Sequence, residues 1–486
     1  MTLPPRPAVP DPIASQTSAK RAAAISALAC AITLAVALGI GRFAFTPLLP
    51  LMLQEGRLSI NAGGLLASLN YAGYFIGALS CAFIPFDHRK LLLFGLVMTT
   101  VLTLSMGLTH TFALWGALRL IAGIVSAWTF VFASQWGLRR LAELHQHGWS
   151  GVIYTGPGLG ILITGLLVSG AGQYGSQVGW LSFGVLALVL SACVWKIFGA
   201  AVPHVVVPPQ PASPSPLRSP PPPSAASIGS APLSVPLSAP LSTPLPSSES
   251  FDFADEDESE PGDRALLISA PVNEADLQRV RAIGRTETGV QARAINRDAA
   301  WLVFLYGLPG FGYIITATFL PVIARHALPD SLWPDRFWPM FGLAIIVGAV
   351  SASRTPVHWD NRLLLAISYL MQATGIVLGV VWPTVPGFAV GSLLIGLPFT
   401  AITLFAMREA RRLRHNEAAG LMGYATASYG AGQIAGPLIA APIAAYTGSF
   451  ALALLLAALV LVAGAVMLIM VWRQAAARAL GPLHRS

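Results

Sequence analysis

Two arginines are the first residues to account for. Arg42 lies in GIGRFAFTPLLP, spanning Gly39 to Pro50, and Arg119 in LRLIAG; both fall inside long apolar runs. A charged side chain at mid-bilayer costs roughly 2.5–3.5 kcal/mol on insertion scales, so each must face protein or a water-filled cavity. Such a group either pairs with carbonyls and polar neighbours as part of the structure or draws an anion into a pathway. For Arg42 both readings stand. Asn70, Tyr74, Tyr154, Tyr313, Gln372, Tyr424, Tyr429 and Gln433 are the other polar groups expected to face inward, while Asp298 and Glu417 stand only at run starts. That set suits a small anion better than a cation, and it lacks the intramembrane carboxylate that many proton-driven carriers titrate. Trp128 is read either as packing or as the wall of a cavity.

No enzyme constellation accompanies them. His110 and His326 stand singly near run ends, and no serine has a plausible base partner. Cys30, Cys81 and Cys193 all lie in apolar runs, so no disulfide, metal or cofactor is expected. Ala27-Leu28-Ala29-Cys30 resembles a lipoprotein cleavage box, yet the apolar stretch continues well past it and reads as an uncleaved span.

The elements that must position these groups are membrane helices. Of 486 residues, 55% are hydrophobic and 10% charged, with a mean hydropathy of +0.66. Soluble domains carry roughly 25% charged residues, and this chain has room for about a dozen spans near 20 residues each. Its net charge of +8 does not point to nucleic acid, because the basic clusters sit in every second turn. They are Lys20-Arg21, Arg89-Lys90, Arg139-Arg140, Arg354 with Arg362, and Arg408 with Arg411, Arg412 and Arg414. Positive charge kept to one side places both termini in the cytoplasm.

Twelve spans are expected. Six lie at about Ala22–Leu53, Ile60–Ile84, Leu91–Leu108, Phe112–Gly137, Gly151–Ala171 and Val178–Phe198. Six more follow at about Ala299–Ala324, Phe337–Ser353, Leu363–Trp382, Gly387–Met407, Ala418–Ala445 and Phe450–Trp472. The chain thus divides into a Pro-rich cytoplasmic N-terminus (1–19), a six-helix half (20–199), a cytoplasmic linker (200–297), a second six-helix half (298–473) and a tail (474–486). From Pro203 to Ser250 the linker is a Pro/Ser/Ala tract that cannot bury a core, followed by an acidic run and a basic segment from Glu274 to Arg297. The basic segment is either a solvated connection or a helix on the membrane surface. Deleting Pro203 to Ser250 should leave membrane yield and monodispersity unchanged; loss of folded protein would overturn the linker reading.

The two halves read as copies. Gly39–Pro50 is answered 271 positions later by GFGYIITATFLP, Gly310–Pro321, with Tyr313 at the place of Arg42. LIAGIVSAWTFVFA from Leu120 parallels LLIGLPFTAITLFA from Leu393, an offset of 273, and Gly156-Pro157-x-x-Gly160 is answered by Gly432-x-x-x-Gly436-Pro437. Parallel six-span repeats of this kind describe the major facilitator architecture, an all-α membrane fold.

Particular motifs carry a resemblance to that superfamily. Arg119-x-x-x-Gly123 resembles its arginine motif, and Gly156-Pro157-x-x-Gly160 the core of its antiporter motif without the upstream glycines. In the turn after the second span, Asp87, Arg89 and Lys90 match its gating motif, but Phe83 stands where the first glycine belongs and the spacing is shorter. GIGRFAFTPLLPLM followed by AGGLLASLNYAGYFIGAL resembles the bacterial YbfB-type branch. The resemblance covers all the spans but not residues 200–297. It implies an inner-membrane transporter that works as a monomer on a small-molecule substrate, with a cavity lined by the first, fourth, seventh and tenth spans. Arg42, Asn70, Tyr74, Arg119, Trp128 and Tyr313 are the candidate substrate contacts. Asp87, Arg89, Gly123, Gly156, Pro157, Gly160, Gly432, Gly436 and Pro437 are the candidate structural or gating positions. A small organic anion is the expected cargo. A drug or metabolite exporter of the same fold, and a non-transporting sensor or scaffold, are the alternatives.

Overall fold

The computed structural model describes residues 12–83, 88–199, 274–414 and 418–480. Most of the linker, the turn that holds Asp87 and the ends of both termini lie outside the described residues. Val202–Thr288 forms a unit of its own, described only from Glu274 onward, where the chain is helical; Met1–Ala201 and Gly289–Ser486 together form one compact unit.

Helix is the regular secondary structure of that unit, with no strand among the described residues. The first span is α1 (Pro12–Leu34), a π-helical turn (Ala35–Ile40), a non-helical turn and α2 (Phe45–Gln54). Then come α3 (Ile60–Ser80), α4 (His88–Leu108), α5 (Phe112–Glu143), α6 (Ser150–Ile153), α7 (Gly156–Ala171) and α8 (Gly175–Gly199). After the linker follow α9 (Glu274–Ala327), α10 (Pro334–Ser353), α11 (Asn361–Val381), α12 (Val385–Gly396), α13 (Phe399–Arg414), α14 (Ala418–Thr447) and α15 (Ala451–Leu480). Ten stretches are long and apolar enough to cross a membrane. Of the twelve expected, the other two coincide with α3 and α14, helices of 21 and 30 residues. Asn70, Tyr71 and Tyr74 in α3, and Tyr429 and Gln433 in α14, lower their apolarity.

Local chemistry sets the helix starts. Ser59 caps α3 by accepting a hydrogen bond from the Ala62 N–H, and Asp360 caps α11 by accepting from the Arg362 N–H at 2.8 Å. Thr384 does the same for α12, with Pro386 in the first turn, where a missing donor costs nothing.

Glycines let the spans approach backbone to backbone. A Cβ on Gly160 would sit 2.6 Å from Gly39 Cα, and one on Gly156 would sit 2.7 Å from Leu34 Cβ. α7 is therefore pressed onto the first span. In the later helices a Cβ on Gly432 would meet Phe311 N at 2.7 Å, and one on Gly310 would run into Tyr429 of α14. The Gly-x-Gly of each copy thus faces the glycine-proline motif of its own copy. A second correspondence joins Gly123, which would meet Tyr74 N of α3 at 2.7 Å, to Gly396, which would meet Phe341 O of α10 at 2.7 Å. Gly156→Leu and Gly432→Leu should each lower the thermal midpoint of the purified protein. Overpacking costs roughly 1–3 kcal/mol, more where backbone rather than a side chain must yield. Unchanged midpoints in both would overturn the close-packing account.

The copies also meet directly. Thr46 Oγ1 donates to Ala317 O at 2.9 Å, and Arg325 Nη1 donates to Gln54 Oε1 at 3.3 Å. Both pairs are separated by 271 positions, the repeat offset itself. A residue that touches its own repeat mate lies beside the axis that relates the two copies. Tyr71 OH and Thr318 Oγ1 at 2.9 Å, and Ser68 Oγ donating to Ile434 O at 2.9 Å, extend the same seam.

Candidate functional site

The site begins with the break in the first span. At Ala35–Ile40 the helix widens to π geometry, and from Gly41 to Ala44 it is a turn, so carbonyls in the middle of the span lose their usual helical partners. Arg119, on α5 and 2% exposed, supplies the donors: Nη2 reaches Arg42 O at 3.1 Å and Nη1 reaches Gly41 O at 3.4 Å. Its guanidinium lies 4.9 Å from the Phe45 ring centroid. Asn70 of α3 donates to Arg119 O at 2.8 Å and ties the three elements together. Both terminal nitrogens of Arg119 are engaged with backbone. Broken helices at membrane depth are tolerated where protein or a cavity re-satisfies the backbone.

The break aims Arg42 at the seam. Its guanidinium is 4% exposed and lies 4.0 Å from the Tyr74 ring centroid, 5.0 Å from Tyr71 and 5.3 Å from Phe43. Nη2 donates to Gln433 Oε1 of α14 at 2.6 Å, across 391 positions of chain. Gln433 Nε2 in turn donates to the Tyr313 hydroxyl. One amide therefore bridges Arg42 and its repeat mate. Tyr313 stacks on Tyr429 at 5.9 Å, and Tyr429 on Tyr306 at 4.8 Å. Phe43 meets Trp338 of α10 and Phe399 of α13 edge-on, each at 6.3 Å. Among the described residues no carboxylate pairs with Arg42, and its Nε has no acceptor. The covering thins toward the side of the basic turns. Tyr74, one turn past Asn70, and Tyr429, one turn before Gln433, are only half-buried, whereas Tyr71, Tyr306 and Tyr313 are buried.

Of the other expected contacts, Trp128 donates its Nε1 to Ser80 Oγ at 2.8 Å, joining α5 to the far end of α3 rather than to Arg42. Pro157 opens α7 within its first turn, while Pro437 lies inside α14. Gly436 faces Ile314 of α9. Arg89 lies in the first turn of α4, and Asp87 falls outside the described residues.

A charge cluster with no local signal in the sequence stands at the basic end of the later helices. Arg362, at the start of α11, reaches Asp298 Oδ2 of α9 at 3.1 Å and Glu409 Oε1 of α13 at 2.8 Å. Glu409 is 2% exposed; it also takes Arg412 Nη2 at 2.6 Å and Asn361 Nδ2 at 3.4 Å. No grouping of three His, Cys, Asp or Glu among the described residues could hold a metal ion.

Three comparisons bear on this arrangement. The family model described as "Uncharacterised MFS-type transporter YbfB" matches residues 34–219 and 267–469. Among solved structures, the crystal structure of a mutant of the nucleoside transporter NupG is similar, with a TM-score of 0.61 at 13% identity, covering 92% of this chain and 99% of that one. No curated protein sequence matches the chain.

Proposed function

The chain belongs to that family of major facilitator transporters and is an integral membrane protein, and from this premise we propose that it carries a small organic anion by alternating access, with Arg42 as the anchor. One observation carries the reading: Arg42 is a buried cation on the seam between the two copies, with an unused donor and, among the described residues, no carboxylate partner. Its neighbour Arg119 is engaged with backbone carbonyls and is a positioning group for the broken span. Buried charge in a helix bundle that faces a seam and not a counter-ion marks a pathway by default.

In this reading the seam is the part that moves. The bonds Thr46–Ala317, Tyr71–Thr318 and Gln54–Arg325 hold the side away from the basic turns shut, and the half-buried Tyr74 and Tyr429 mark the approach from the basic side. With the basic turns in the cytoplasm, that approach is cytoplasmic, and the membrane is the bacterial inner membrane.

Reconstitution tests it. Proteoliposomes should show saturable uptake of small organic anions and none of matched neutral or cationic solutes. Uptake of neutral or cationic compounds alone would replace the anion reading with the exporter one. Absence of saturable flux for every class would favour a sensor or scaffold.

A further inference from the structure

The chemistry around Arg42 narrows the anion further, on the premise that Arg42 is the anchor. A guanidinium offers a carboxylate two parallel donors along its Nε/Nη2 edge. Here that edge is half used. Nη2 donates to Gln433 Oε1 at 2.6 Å, while Nε is buried and has no acceptor. A carboxamide brings a single oxygen, which Gln433 points at Nη2 while its nitrogen donates to Tyr313, so the parallel second bond to Nε is not made. A carboxylate presents two oxygens at the spacing of the fork. Gln433 thus occupies half of a site built for a group with one more oxygen.

The surroundings specify the rest of the ligand. Tyr74, Tyr71 and Phe43 lie about the guanidinium within 5.3 Å, and Tyr429 stacks beyond Tyr313. Trp338, which meets Phe43 edge-on, also has a buried Nε1 donor without an acceptor among the described residues. Aromatic walls of this kind favour a planar ring over a flexible chain. A second carboxylate finds no free fork beside them: Arg119 keeps a buried Nε without an acceptor, but both of its terminal nitrogens are held by backbone carbonyls.

We propose that the substrate is a planar aromatic monocarboxylate, whose two oxygens take the Nε/Nη2 edge of Arg42 in place of the Gln433 amide and whose ring lies among the tyrosines. Gln433 is then an internal stand-in for the ligand. Because it sits on the opposite copy from Arg42, its displacement releases one of the bonds across the seam at the moment the ligand binds.

The test uses the purified full-length chain and three probes at matched millimolar concentration: benzoate, cyclohexanecarboxylate and succinate. Thermal unfolding reads binding, since a ligand of the folded state raises the midpoint. Benzoate should raise it. Cyclohexanecarboxylate keeps the carboxylate and a ring but loses planarity and aromaticity, and succinate drops the ring and adds a second charge; each should bind about ten-fold more weakly. Gln433→Ala removes the internal competitor and should tighten benzoate binding roughly ten-fold. Arg42→Lys keeps the charge, loses the fork and should weaken binding by about the same factor.

Equal shifts from all three probes, lost in Arg42→Lys, would overturn the aromatic class while leaving the anion anchor standing. No shift from any carboxylate, or shifts indifferent to Arg42→Lys, would overturn the anchor as well. Should the lysine variant fail to fold, Gln433→Ala decides the stand-in role: benzoate binding that is unchanged or weaker rules out displacement of the amide.

Discussion

Arg42→Gln should reach the membrane, purify as a monodisperse species and transport almost nothing. Removing a buried charge deletes an insertion cost of roughly 2.5–3.5 kcal/mol, and the shorter amide leaves Gln433 a polar neighbour, so the fold has no reason to suffer. Transport is another matter. Truncating one partner of a buried, hydrogen-bonded charge pair costs about 2–5 kcal/mol, which converts to roughly thirty-fold to several thousand-fold in ligand affinity. Arg42→Lys should fall between the two, because an ammonium keeps the attraction but not the planar fork. Paired measurements of folded yield by size exclusion and saturable flux in proteoliposomes decide the matter. If Arg42 were a structural charge, yield would fall in both variants while flux per folded molecule held. Normal yield with normal flux in the glutamine variant would sink the anchor.

The largest effect on stability is expected at Arg362. Replacing it with leucine takes from the buried Asp298 the Arg362 guanidinium, and leaves Glu409, itself 2% exposed, with Arg412 as its remaining guanidinium partner. Breaking a buried ion pair by removing one member typically costs about 3–5 kcal/mol, because the other member stays buried and uncompensated. The thermal midpoint and the yield of folded protein should both drop sharply. Adding Asp298→Asn and Glu409→Gln to the leucine variant should recover most of the loss, since both carboxylates that faced Arg362 are then neutral and Arg412, half exposed, keeps its charge in water. A single variant as stable as the parent would show that water reaches the cluster.

The sequence carries the two copies because their glycine spacing is a backbone requirement, and a requirement for close approach leaves a mark at a fixed interval. Arg42 is legible for the same kind of reason: a charge in an apolar run needs a partner whatever the fold. Its partner is not legible. Gln433 lies 391 positions away, and nothing local in GQIAGP says which helix it faces. Glu409 was overlooked through its company. MREARRLR reads as a solvated basic turn, and only the convergence of α9, α11 and α13 buries the one acidic residue in it. The break at Ala35–Ala44 is hinted at by Gly39 and Gly41, but its location follows from Arg119 reaching across to free carbonyls, a tertiary fact. Trp128, read as packing or as the wall of a cavity, donates its indole N–H to Ser80, a partner 48 positions away that nothing local in the sequence indicates.

The bond between Arg42 and Gln433 also has a consequence for how the protein is made. Synthesis proceeds at about 5–20 residues per second, so the ribosome reaches Gln433 roughly 20–80 s after Arg42 has been polymerised. Arg119 arrives far sooner, but it donates to the carbonyls of Gly41 and Arg42 and brings no acceptor to the Arg42 side chain. The first span therefore enters the insertion machinery with a guanidinium whose amide partner does not yet exist, and the intervening linker lengthens the wait. Through that interval the charge must be held by water, by lipid headgroups or by the insertion machinery itself. The earliest segment of the chain to be synthesised is, at Arg42, among the last to be completed.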